Sequence, residues 1–105
     1  MASFYKFEFY VPREHLESVK KAVFDAGAGR IGAYGKCSWE TPGTGQFMPL
    51  EGSDPFIGRQ DSLERVEEIK VEMVCAHELI GAVVSALKAA HPYETPAYQY
   101  WEVHY

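Results

Sequence analysis

Residues 91–98 read His-Pro-Tyr-Glu-Thr-Pro-Ala-Tyr, which sets an imidazole, a phenol and a carboxylate close together between two prolines. Each of these groups can hydrogen-bond, hold a ligand or lock a turn. Pro92 cannot continue a helix and pushes His91 into an extended conformation, and Pro96 does the same to Thr95. A link punctuated in this way serves chain geometry as readily as it serves a ligand, and both roles stay open on the residues alone. His91, Tyr93 and Glu94 are the candidate ligand-binding residues. Arg59 joins them, because Gly58-Arg59 offers one cation and a turn's backbone N–H groups to an anion.

Other chemistry finds little footing. The four histidines, His15, His77, His91 and His104, form no HxH or HExxH pattern and pair with no cysteine, so no metal ligands are identified. Ser38, Ser53, Ser62 and Ser85 stand outside any nucleophile-elbow context, and no catalytic residue is assigned. Gly27-Ala28-Gly29-Arg30-Ile31-Gly32 matches GxGxxG letter for letter. That motif needs a strand before it and a helix after it to bring a pyrophosphate to a helix N-terminus, and here a helix precedes it. The glycines are expected to make a turn. No cofactor signature is legible. Cys37 and Cys75 lie too far apart for a CxxC motif, and both are expected to be buried free thiols.

The elements that must position these residues follow from periodicity. Tyr5, Phe7, Phe9 and Val11 alternate with Lys6 and Glu8 as a half-buried strand over 4–11. Pro12 suits a first helical turn, Leu16, Val19, Val23 and Ala26 recur at helical spacing, and Gly27 supplies the stop. Residues 33–40, with Cys37 and Trp39 on one face, predict a second strand. Thr41 to Asp61 then reads as a long loop rich in glycine and proline, in which Gln46-Phe47-Met48-Pro49-Leu50 could form only a short edge strand. Phe47, Met48, Leu50, Phe56 and Ile57 carry too much apolar surface for a solvated loop, so the domain or another subunit should cover them. From Leu63 to Cys75 the alternation returns, with Ile69, Val71, Met73 and Cys75 on one face and Val66, Glu68, Lys70, Glu72 and Val74 on a solvated or subunit-facing side. Leu79, Ile80, Val83, Val84 and Leu87 predict a second helix over 77–90, and Ala97 to Tyr105 a last, aromatic strand.

The order is β-α-β, loop, β-α-β: an α+β, ferredoxin-like sandwich with an antiparallel sheet and two helices on one face. The 105 residues suffice for one domain, 1–105. A net charge of −5 argues against direct nucleic-acid binding. No apolar run approaches the length of a membrane span, and the first residues lack the regions of a signal peptide, so a cytoplasmic location is expected. Aromatic side chains on both faces of the last strand, Tyr98 and Tyr100 against Trp101 and Tyr105, predict burial on both sides of the sheet and hence a homo-oligomer.

Taken together, three motifs resemble the insertion domain of the YqfO family, also called the Ngg-interacting-factor-three family, some members of which are called type 2 GTP cyclohydrolase-like. They are His91 to Tyr98 after an amphipathic helix, Gly27-Ala28-Gly29 through Gly32 to Cys37-Ser38, and Gly45-Gln46-Phe47 to Pro55-Phe56-Ile57-Gly58. They cover nearly the whole chain. The resemblance implies a CutA/PII-like module standing alone, a trimer by analogy with a dimer still open, and it leaves the large domain's metal ligands without counterparts here. It implies a ligand in a cleft between subunits, bounded by 41–61 and His91–Tyr98. The resulting expectation is a non-enzymatic binding or regulatory module for a small ligand. It stands ahead of a protein-docking module and of a metal-dependent, hydrolase-like site at a subunit interface.

Overall fold

The computed structural model describes residues 4–104 of the chain. Strand β1, Phe4–Pro12, leads through a single 3-10 turn at Arg13–His15 into helix α1, Leu16–Asp25. Strands β2, Trp39–Phe47, and β3, Glu64–Ala76, follow as a long hairpin. A second 3-10 turn, His77–Leu79, opens helix α2, Ile80–Ala90, and β4, Tyr98–Val103, completes the sheet. The strand order is β2-β3-β1-β4 with every neighbouring pair antiparallel, the α+β ferredoxin-like arrangement.

Register explains the core. Phe7 lies opposite Met73, Phe9 opposite Val71 and Val11 opposite Ile69, so one face of the central strand pair is continuously apolar. Leu16, Val19 and Val23 of α1 and Val83 and Leu87 of α2 cover it, and all of these residues are buried in one cluster. At about 1.5–3 kcal/mol for each large side chain removed from water, this layer is the main force holding the helices to the sheet. Helix α1 ends where Gly27 turns to φ 112°, a conformation costly for any residue with a Cβ, and a Cβ there would also strike Leu79.

The opposite face carries no helix. It is laced by polar contacts: Lys6 with Glu72 and Lys70 with Glu8, each at 3.6 Å, and a hydrogen bond from Gln99 Nε2 to Glu8 Oε1. Trp39 on β2 and Trp101 on β4 are 69% and 46% exposed.

Four expectations require correction. The second strand is Trp39–Phe47, not 33–40. Gly32 and Lys36 adopt positive φ, and an isolated bridge between Ile31 and Tyr34 closes a small turn there instead. The predicted loop is therefore shorter, because Thr41 to Phe47 pair with Lys70 to Glu64 in spite of Pro42, Gly43 and Gly45. Pro42 is tolerated because β2 is an edge strand. Cys37, in consequence, stands in the approach to β2 and is only half-buried, whereas Cys75 on the helix face of β3 is buried; both thiols are free. Pro12 closes β1 and caps the 3-10 turn that leads into α1, rather than lying within the first helical turn. Tyr105, expected on the last strand, lies outside the described residues. Among the described residues no helix is long and apolar enough to cross a membrane.

Candidate functional site

The link from α2 to β4 is held by its own histidine. His91 caps α2 in an extended conformation, as the following proline demands, and its side chain is 6% exposed. Its Nε2 lies 2.7 Å from the Tyr10 carbonyl oxygen, which only accepts, so Nε2 carries the proton. Its Nδ1 accepts the Tyr93 N–H at 3.1 Å. Both ring nitrogens are thus committed to backbone, and the imidazole is neutral. Burial, the largest influence, lowers its pKa; the Tyr10 carbonyl opposes that shift.

This lock presents Tyr93. The phenol donates to Glu68 Oε2 at 2.8 Å, tying the link to β3. Burial and then the Glu68 carboxylate raise the phenol's pKa well above its ordinary value, so Tyr93 is a hydrogen-bond donor and not an ionising group. Glu68 itself fits because Gly45, diagonal to it on β2, has no side chain; a Cβ there would run into the carboxylate. Glu94, one residue on, accepts the Asp54 N–H at 2.9 Å and so fastens the 48–63 loop to the link. The loop's aromatic residues complete the wall. Phe47 and Phe56 lie 6.1 and 6.4 Å from the Tyr93 ring, and Phe56 meets His15 edge-on at 5.6 Å.

Between link, loop and sheet lies a cavity of about 450 Å³, within the usual size of small-molecule sites. Phe47, Leu50, Phe56 and Ile57 give it an apolar wall; Glu68, Tyr93 and Glu94 place acceptors and a hydroxyl along it. Of the four candidate residues, Tyr93 and Glu94 line the cavity. His91 stands behind Tyr93 and positions it. Arg59 is exposed and is not among the lining residues.

The sequence reading missed Tyr10 and Glu68, which follow the ordinary alternation of β1 and β3 and carry no local mark. The apolar surplus of Phe47, Phe56 and Ile57 was the one legible sign of the apolar wall, although within the chain Met48, Leu50 and Phe56 stay 44%, 64% and 56% exposed rather than covered. Among the described residues no group of three or more His, Cys, Asp or Glu side chains could hold a metal.

No family model matches the chain. It is 52% identical over 98 residues to the GTP cyclohydrolase 1 type 2 homolog of Mycobacterium leprae, covering 93% of this chain and 26% of that protein. The homolog from Bacillus subtilis is 43% identical over 98 residues, with the same coverage. Among solved structures, the Bacillus cereus protein related to NIF3 superposes with a TM-score of 0.84 at 40% identity, over 98% of this chain and 26% of that one. The periplasmic divalent cation tolerance protein CutA of Archaeoglobus fulgidus superposes with a TM-score of 0.67 at 20% identity, over 100% of this chain and 86% of that one, a likeness of fold alone. The chain spans about a quarter of the length of the curated relatives it matches. It is thus a relative of the NIF3-related GTP cyclohydrolase 1 type 2 homologs over one segment of their length, and that segment has the fold of CutA.

Proposed function

We propose that the chain is a non-enzymatic binding or regulatory module whose small ligand occupies the cavity between the 48–63 loop and the His91–Tyr98 link. One observation carries this reading: two long-range contacts, Tyr93 to Glu68 and Glu94 to Asp54, hold an apolar-walled cavity open within a single chain. A link that served geometry alone would be satisfied by the His91 bonds to Tyr10 and Tyr93. Tyr93 and Glu94 orient the ligand's polar part. The test is native mass spectrometry and ultraviolet absorbance on protein purified without chelator, beside a Phe56→Ala variant. A bound species that the variant loses supports the reading; a species retained by the variant places the ligand elsewhere.

A second observation bears on assembly. Trp39 and Trp101 are exposed on the sheet face without helices, where Val74 and Val103 accompany them. A homo-oligomer that buries this face accounts for its aromatic content. Light scattering on the same peak separates two copies from three, and a monomer across the accessible concentration range overturns it.

A further inference from the structure

The charge of the cavity is one-sided. Glu68 and Glu94 both line it, and neither a lysine nor an arginine does. Glu68 Oε2 takes the Tyr93 hydroxyl and Glu94 Oε1 takes the Asp54 N–H, which leaves Oε1 of the first and Oε2 of the second without a hydrogen bond among the described residues. Lys70, on the same sheet face, lines an adjoining recess with Tyr10, Gly45 and Glu68, and is paired with Glu8 at 3.6 Å. The rings of Phe47, Phe56 and Tyr93 line the same cavity.

We infer that the cavity selects an aromatic or bulky apolar ligand bearing an ammonium or other cationic hydrogen-bond donor, and rejects phosphorylated ligands. This rests on the cavity being the binding site proposed above. The apolar body packs on Phe56 and Ile57. The cationic head reaches the unpaired oxygens of Glu68 and Glu94, and the aromatic rings favour it further, since their faces attract cations. A phosphate would meet two carboxylates with no arginine or lysine among the lining residues to offset the repulsion. The overall charge of −5 acts in the same direction.

Three probes that share one ring separate charge from shape: tryptamine, tryptophol and indole-3-propionate, which are cationic, neutral and anionic at neutral pH. Each is titrated into the 105-residue chain while amide NMR shifts are followed at Gly45, Ile57 and Tyr93, with inorganic phosphate as a fourth titrant. Tryptamine is expected to bind roughly tenfold more tightly than tryptophol, equivalent to about 1.4 kcal/mol, and indole-3-propionate more weakly still. Glu94→Gln and Glu68→Gln should each reduce the preference for tryptamine severalfold and leave tryptophol unchanged. Glu94 is exposed, so its variant retains the fold even where Glu68→Gln disturbs the Tyr93 bond. Equal affinity for the three probes, a preference for the anion, or shifts at these amides with phosphate would overturn the selectivity while leaving the cavity a binding site. Silence at these amides with every probe would overturn both.

Discussion

Tyr93 and Glu68 lie 25 residues apart and share a hydrogen bond of 2.8 Å that joins the link before β4 to the middle of β3. The donor is neutral and the acceptor charged, the stronger kind of hydrogen bond. Tyr93→Phe keeps the ring against Phe47 and Phe56 and removes only this bond. The expected cost is about 1.5 kcal/mol by urea unfolding. A double-mutant cycle with Glu68→Gln should show coupling between the two sites, and strict additivity would mean that the bond contributes nothing in solution.

Gly43 and Gly45 differ only in what faces them. A Cβ at Gly45 would collide with the Glu68 carboxylate, whereas one at Gly43 has nothing within 4 Å. Gly45→Ala should therefore displace Glu68, weaken the Tyr93 bond and lower stability by about 1 kcal/mol. Gly43→Ala should be neutral or stabilising by about 0.5 kcal/mol, because it restricts the unfolded chain. Thermal midpoints of the two variants measured side by side decide the matter, and equal effects would remove Glu68 from its assigned place.

The neutral His91 makes stability depend on pH. Its pKa is lowered from 6.5 in the folded chain, so between the two values the unfolded chain binds more protons than the folded one. Its contribution is then complete above about pH 6.5 and is lost as the pH falls from there through the folded value. Urea midpoints should drop on acidification below about pH 6.5, and His91→Gln should flatten that drop. In nitrogen NMR the ring should show Nε2 protonated; a protonated Nδ1 at neutral pH would contradict the lock.

Trp101 faces out from β4 opposite Lys6. If the sheet face is the subunit contact, Trp101→Glu puts an unpaired charge into a buried apolar surface and should reduce the light-scattering mass to that of one chain. Circular dichroism should stay unchanged, since the residue is 46% exposed within its own chain. An unaltered mass would move the contact elsewhere.

The two thiols should part company under alkylation. Burial, with help from Glu78, pushes Cys75 up to about 11, while Cys37 is half-buried in the approach to β2. Iodoacetamide on the native protein at about pH 8 should label Cys37 and spare Cys75, with mass spectrometry locating the adduct. Equal labelling would mean that the helix face of β3 opens readily.

Alternation and helical spacing were enough to determine the element order, the apolar faces of β1 and β3, and the stripe of each helix. Tyr5 to Val11, Ile69 to Cys75 and Leu16 to Val23 bury a face in any arrangement that folds, so local pattern and global packing agree. Strand β2 escaped because Thr41-Pro42-Gly43-Thr44-Gly45 has poor strand propensity. Its conformation is imposed by the exposed backbone of β3, a partner that local sequence does not register. The cavity was legible only in pieces. His91, Tyr93 and Glu94 stood out by type and Phe56 by unexplained apolarity, but nothing in the chain's order joins Glu68 to Tyr93 or Asp54 to Glu94. Tertiary structure alone decided those meetings, and with them that His91 faces backbone while Arg59 stays outside: contacts between distant segments depend on how whole elements dock, and no short-range spacing encodes them.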